Sequence, residues 1–236
     1  MNFHKKRLEE LKKYFYPKTI LDLGAYEGEW AKMAKEVFPD SSLIMIEANV
    51  DKTDILKKTN IPFKISLLGH KDGLNVDYYK TNYVHNTGNS IFKENTVYFN
   101  DENCKTVNIP MKTLDTLVYE NGLRDIDFIK MDVQGSELNI LKGASNLLKT
   151  IDYILIEMQI DEYNQNSPKF TEVFKFLNKN GYYICDLFEI HYNNTGKSRE
   201  IDFLFVKDHN ISNKLNLWDE KLSTLEQINQ RPLARH

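Results

Sequence analysis

The chain has 236 residues and a formal net charge of −3, with 41% hydrophobic and 28% charged residues. That length suits one α/β domain with terminal additions, and the composition is that of a folded globule rather than a disordered chain. Acidic and basic residues alternate without a basic stripe, which argues against a nucleic-acid partner, and no segment reads as a secretory leader or a membrane span, so a cytoplasmic protein is expected.

Leu8, Leu11 and Phe15 recur at helical spacing in a Lys/Glu background and predict a surface helix before Pro17. Thr19–Leu23 is a short apolar strand stopped by Gly24, and after Gly28 the pattern turns helical through Trp30, Met33, Ala34 and Val37. A second strand over Leu43–Ile46 ends at Glu47, a helix follows over Asp51–Lys58, and a third strand runs from Phe63 to Leu67. This βαβαβ alternation implies parallel strands with helical crossovers. From Gly69 to Pro110 the helical period gives way to short alternating pieces, Val76–Tyr79 and Thr96–Phe99, read as an inserted β-rich flap. Regular order returns with a helix after Thr113, a fourth strand over Ile126–Asp132, a helix over Glu137–Leu148 and a fifth strand over Ile151–Met158. A helix over Phe170–Leu177 precedes two closing strands, Tyr182–Leu187 and Ile201–Val206, near enough in sequence to pair antiparallel. The division is an N-terminal helix over 1–17, one domain over 18–207 with its flap at 69–110, and a tail over 208–236 read as helical through Leu217, Trp218 and Leu222. Cys104 and Cys185 lack ligand spacing and read as packing residues.

In an open parallel sheet a ligand sits beyond the carboxyl ends of the strands, where strand order reverses. Those ends are rich in Gly, Asp and Glu here. Asp22-Leu23-Gly24-Ala25-Tyr26-Glu27-Gly28 permits a tight turn and close backbone approach, and Glu47 follows at about the twenty-residue interval that lets a carboxylate accept both ribose hydroxyls of an adenosine. A dinucleotide wants three glycines and an unobstructed helix N-terminus facing its pyrophosphate, whereas this turn has Gly24 and Gly28 only and places Glu27 and Glu29 where phosphate would be repelled. The positive sulfonium and ammonium of S-adenosylmethionine suit the acidic surround of Asp22, Glu27 and Glu47. Ala25, Trp30, Ala48, Ser66 and Leu67, at or just beyond the same strand ends, complete the candidate cofactor set with Asp132.

Several stretches together resemble the FkbM family of methyltransferases. They are Ile20–Gly28, Ile46–Asn49, Asn86–Ser90, Thr113–Leu117, Asp127–Glu137, Leu141–Ala144 and Ile156–Met158, so the likeness spans roughly Lys18 to Val206; its most specific part is Lys130-Met131-Asp132-Val133-Gln134-Gly135-Ser136-Glu137. The resemblance implies a Rossmann-like class I methyltransferase fold, a mostly parallel sheet with an antiparallel last strand. It also implies an enzyme acting mainly on hydroxyl groups of sugars and natural products, with Asp22, Gly24 and Glu47 holding the cofactor and Asp132 beside the transferred methyl. Ser136 stands where that family often has Ala.

For the acceptor side the candidates are Asp132, Glu157, His191 and Lys130 as catalytic groups. Asp132 has the alternative of capping the following helix, Lys130 reads equally as a structural partner of Glu157, and a lone His191 near a strand end is more often scaffold. Asn86, Gly88, Asn89, Ser90 and Gln134 are candidate substrate contacts, the loop being dense in small donors and acceptors. Asp132, Glu157 and His191 would be the ligands of a divalent metal if one is used. The expectation is O-methylation of a carbohydrate or nucleotide-linked sugar. Methylation of another natural-product hydroxyl, a nucleotide-dependent dehydrogenase and a cofactor-binding module without turnover remain as alternatives, and a homo-oligomer stays open.

Overall fold

The computed structural model describes residues 3–83, 87–100, 102–161 and 163–208. Candidate residue Asn86 and the proposed helix of the tail lie outside these. In chain order the elements are α1 (Phe3–Leu11), β1 (Thr19–Leu23), α2 (Glu29–Val37), β2 (Ser42–Glu47), α3 (Thr53–Lys57), β3 (Phe63–Ile65), β4 (Leu67–Leu68), β5 (Asn75–Thr81) and β6 (Cys104–Lys112). Then come α4 (Leu114–Glu120), β7 (Ile126–Met131), α5 (Glu137–Lys142), β8 (Tyr153–Gln159), α6 (Phe170–Lys179), β9 (Tyr182–Tyr192) and β10 (Ser198–Lys207).

A seven-stranded sheet has the order β3-β2-β1-β7-β8-β10-β9. Its pairs from β3 to β8 are parallel, and β10 runs antiparallel to both β8 and β9. Strand residues alternate between two helical layers. Leu21, Leu23, Ile129, Met131 and Ile156 pack with Leu114, Leu141 and Leu177 on one face. Ile20, Met45, Phe128 and Leu155 pack with Leu8, Ala34 and Leu56 on the other. Because both faces are covered, the central strands are continuous apolar runs, the property that makes them legible in sequence. No described helix is long and apolar enough to cross a membrane.

Four local expectations differ from the structure. The third strand ends at Ile65, and after Ser66 the chain leaves the main sheet, so that Leu67 pairs with Met111 in a separate three-stranded sheet of order β4-β6-β5. Leu67, Tyr78 and Met111 form the small core of that flap. The segment Thr96–Phe99 is a 3-10 turn over Val97–Phe99, not a strand, with Phe99 buried beneath it. The helix expected to reach Leu148 stops at Lys142 and gives way to a 3-10 turn over Leu147–Lys149. At the break a side chain on Gly143 would stand 2.1 Å from the Gly69 carbonyl oxygen, so that crossing requires glycine. Finally, β6 is not among the expected strands, because more than half of its residues are exposed and it carries no clean alternation of apolar and polar positions along its length.

Candidate active site

Strand order reverses between β1 and β7, and the turns after these two strands touch. A Cβ on Gly24, which sits at φ +79°, would meet the Asp132 carbonyl oxygen at 1.8 Å, while Asp132 N–H donates to the Leu23 carbonyl at 3.0 Å. Glycine is therefore required both for the left-handed turn and for the contact. Above this junction lies a cavity of about 260 Å³. Gly24, Ala25 and Trp30 line it from the first turn, Glu47 and Ala48 from the second, and Ser66 and Leu67 from the end of the third. Asp132 and Gln134 close one side, and the flap contributes Asn89 and Ser90.

Glu47 is the anchor of this chamber. One carboxylate oxygen accepts the Tyr26 N–H at 2.8 Å and the other the Asn49 N–H at 2.7 Å, which fixes the group while leaving each oxygen a lone pair for a ligand hydroxyl. Burial raises its pKa, and the two amides only partly offset that. Asn89 accepts the Thr81 N–H on its Oδ1 at 2.9 Å, and its buried Nδ2 has no partner among the described residues. Ser90 donates to the Gln134 carbonyl at 2.7 Å and so ties the flap to the turn after β7.

Three of the acidic or turn residues expected to face the cofactor stand elsewhere. Asp22 is fully buried beneath the chamber. It sits opposite Lys130 in the β1–β7 ladder, and Lys130 Nζ lies 3.4 Å from Asp22 and 3.3 Å from Asp132. Strand register thus gives Lys130 to Asp22 and Asp132 rather than to the expected Glu157, which lies farther along β8. Burial alone would lower the Lys130 pKa, but the charges of Asp132 and Asp22 reverse the effect and hold the ammonium charged. Glu27 is turned away and pairs with Lys52 at 2.7 Å. Gly28, at φ +81°, packs closely on Met45 and Thr59 and opens α2. The acidic groups on the chamber itself are Glu29, Glu47 and Asp132.

A second cavity of about 590 Å³ adjoins the first and shares Thr87, Asp132 and Gln134 with it. Gly88, Tyr83 and Tyr98 border it from the flap, and Glu157, His191, Arg199 and Glu200 from β8, β9 and β10. The Gln134 amide donates to Asp132 Oδ1 at 3.0 Å and to Glu157 Oε1 at 3.1 Å, and so bridges two carboxylates with both of its hydrogens. Gln134 does this from a left-handed backbone, φ 53°, a conformation uncommon for a side-chain-bearing residue and frequent at functional sites. Tyr163 places its hydroxyl between Gln134 Oε1, 2.8 Å away, and the Glu200 carboxylate. Arg199 reaches the other oxygen of Glu200 at 3.1 Å and lies over the Tyr163 ring. Glu157 is buried; desolvation, followed by the charges of Asp132, Glu200 and Asp202, pushes its pKa well above the ordinary carboxylate value.

His191 meets Asp202, a residue the sequence reading did not single out, at 2.7 Å. Asp202 is also 3.2 Å from His4 Nε2, and the Trp30 indole N–H donates to His4 Nδ1 at 3.2 Å. Against the penalty of burial, the contacts with His191 and His4 hold Asp202 down to about 2. The structure therefore groups Glu157 and His191 with Asp202, and the Gln134 amide stands between Asp132 and Glu157. Asp202 and Tyr163 carry no sequence signal of their own; only the pairing of β10 with β8, which sets Asp202 opposite Glu157, brings Asp202 into the group.

The family model described as the Methyltransferase FkbM domain matches residues 22–184, more than half of the chain. No curated protein sequence matches it. Among solved structures, a precorrin-6y C5,15-methyltransferase from Geobacter metallireducens is similar at 9% identity and TM-score 0.47, over 86% of each chain. Fibrillarin from Aeropyrum pernix, solved with natively bound S-adenosyl-L-methionine, is similar at 14% identity and TM-score 0.49, over 87% of this chain and 76% of that one. A SAM-dependent methyltransferase from Aquifex aeolicus is similar at 14% identity and TM-score 0.42, over 87% and 90%. With a family match of that extent, on a mostly parallel sheet of Rossmann-like class I form, the chain belongs to the FkbM methyltransferase domain family and is an S-adenosylmethionine-dependent methyltransferase.

Proposed function

We propose that the enzyme transfers the methyl group to a hydroxyl oxygen of a carbohydrate, with the donor in the chamber over Gly24 and the acceptor in the chamber beyond Asp132. The observation that carries this reading is the junction of the two cavities at Asp132, Gln134 and Thr87. Glu47 suits the ribose hydroxyls, the side chains of Trp30, Leu67 and Ile46 supply apolar surface for the base, and Glu29 and Asp132 supply negative charge for the ammonium and sulfonium. Exposed Tyr83 and Tyr98, edge to face at 5.0 Å, together with Glu94, Gln134 and Glu157, give the acceptor chamber the mixture of aromatic faces and fixed polar groups that a sugar ring uses. Among the described residues its acidic groups face Arg199 as the one basic side chain on its wall besides His191. A sugar ring rather than a diphosphate belongs there.

S-Adenosylmethionine supplies a methyl already activated on sulfonium; the carbon–sulfur bond breaks, its electron pair stays on sulfur, and the new bond forms to the acceptor oxygen. The protein holds the oxygen in contact with that carbon and removes the hydroxyl proton. Asp132 is the acceptor of that proton, with the Lys130 ammonium 3.3 Å away and the Gln134 amide fixing its orientation. Charge on Asp132 alone would stabilise the donor before reaction, so its rate effect comes from binding the proton as the bond forms.

The test is incubation with methyl-labelled S-adenosylmethionine and a panel of free sugars, amino sugars and glycosides, the product being located by mass spectrometry and NMR. A methyl ether on a sugar supports the reading. Label found on nitrogen or carbon, or on a non-carbohydrate hydroxyl alone, overturns it.

A further inference from the structure

The wall of the acceptor chamber holds a group of side chains that take no part in the proton and methyl transfer steps just described. Glu157 is about nine-tenths buried. Its Oε1 is occupied by Gln134; no donor among the described residues reaches Oε2, and His191 Nε2 faces that oxygen at 3.9 Å, beyond hydrogen-bond range. Asp202 Oδ2 stands 2.7 Å from the same nitrogen, and one atom from each of the three residues lies within 4.8 Å of the others. Negative charge accumulates around them from Asp132, Glu200 and Glu137. The neighbouring cations are committed elsewhere, Arg199 to Glu200 and Lys130 to Asp22 and Asp132.

We propose that Glu157, His191 and Asp202 form a site for one divalent cation in the acceptor chamber. An imidazole nitrogen with two carboxylate oxygens suits a first-row ion of the Mn²⁺ type. At bonds of about 2.1 Å, adjacent ligands of an octahedral ion stand roughly 3 Å apart; His191 and Asp202 at 2.7 Å are near that spacing, and Glu157 at 3.9 Å from His191 has to draw in on binding. A second trio, His4, Glu189 and Asp202, shares the aspartate, but His4 is unsuited to ligation. Its Nδ1 lone pair takes the Trp30 N–H, so a neutral ring presents a hydrogen, not a lone pair, to Asp202. His4 instead fixes the position of Asp202 through the same oxygen, Oδ2, that faces His191, an orienting role of the kind outer partners of metal ligands play. An ion at this place would lower the pKa of a sugar hydroxyl in the chamber and ease its loss of a proton to Asp132. The site itself does not depend on the acceptor reading; only that catalytic consequence does.

The test uses the full chain, stripped with EDTA and titrated with Mn²⁺ alone under electron paramagnetic resonance, with neither donor nor acceptor present. One equivalent bound per chain is expected, with roughly tenfold or greater loss of affinity in Glu157→Gln and Asp202→Asn and no change in Glu189→Gln. Thermal melts establish that each variant is folded, and His191→Gln carries the same test if Asp202→Asn does not fold. Absence of saturable binding at large Mn²⁺ excess overturns the proposal, as does wild-type affinity in the folded Asp202 or His191 variant. S-Adenosylhomocysteine calorimetry on the stripped protein keeps the readings apart: donor binding without Mn²⁺ binding removes this site and leaves the proposed function, and Mn²⁺ binding without donor binding does the reverse.

Discussion

The two chambers meet at one carboxylate but are built in different ways. The donor chamber is made mainly of turns that directly follow β1, β2, β3 and β7, with Asn89 and Ser90 of the flap at its side, and its anchor, Glu47, is set by amides within two residues of itself and in the adjacent turn. The acceptor chamber takes side chains from the flap, β8, β9 and β10, and its order depends on a relay of side-chain contacts from Trp30 through His4, Asp202 and His191, and from Gln134 through Tyr163 to Glu200. A chamber made of strand ends follows from the fold, whereas one made of cross-strand relays is free to change with its substrate. Variants in the first should move donor affinity, and variants in the second acceptor turnover.

Asp132, common to both, carries the largest expected effect. Asp132→Asn keeps the shape but removes the proton acceptor, and should cost about 10²–10⁴-fold in turnover with little loss of S-adenosylhomocysteine affinity. Single-turnover methyl transfer to a sugar that the wild type accepts, alongside calorimetry, measures both. Most of the wild-type rate surviving in this variant would leave positioning as the whole of the protein's contribution.

Glu137 tests whether the shared turn is strained by its own support. Its carboxylate accepts the N–H groups of Val133 and Gly135, yet burial, only partly offset by backbone amides, raises it to about 7. The folded state therefore binds this proton more tightly than the unfolded chain does. The stability it contributes is present below pH 4.5 and is lost as pH rises to about 7, by at most about 3 kcal/mol. Buried Glu47 and Asp22 act in the same sense. Chemical unfolding between pH 5 and 8 should show falling stability, with a flatter profile in Glu137→Gln; a parallel slope in that variant would exclude Glu137 as a source.

Smaller effects should divide the donor wall from the rest. Glu47→Ala removes a charged acceptor and should weaken S-adenosylhomocysteine binding about ten- to a hundredfold, while Glu27→Gln, whose partner is Lys52, should leave it near wild type. Asn89→Ala should cost only several-fold, on the order of 1 kcal/mol. Because Asn89 lines the donor chamber, that loss should appear in donor affinity; a change confined to acceptor KM would move the residue across the boundary.

How much was readable from the sequence follows the same division. The central strands show as apolar runs because helices cover both of their faces, and Gly24, Glu47 and Asp132 stand out because they interrupt those runs at their ends. The split at Ser66 was not readable, since Phe63–Leu67 is one unbroken alternation of apolar and polar residues whose last residue is claimed by Met111 from a distant strand. Nor was the Lys130–Asp22 pair, which depends on the β1–β7 register. Asp202 lies in mid-strand, where an acidic residue ordinarily signals a solvent-facing position; here two partly exposed histidines, His4 and His191, take the place of solvent.

The central claim is that Asp132 stands where donor and acceptor meet. A crystal structure of the chain with S-adenosylhomocysteine tests it most directly. The expected result is an adenosine in the smaller chamber, both ribose hydroxyls on Glu47, and the sulfur facing Asp132 with the larger chamber open beyond it. An adenosine seated among Tyr83, Tyr98 and Arg199, or a sulfur turned away from Asp132, would contradict the account.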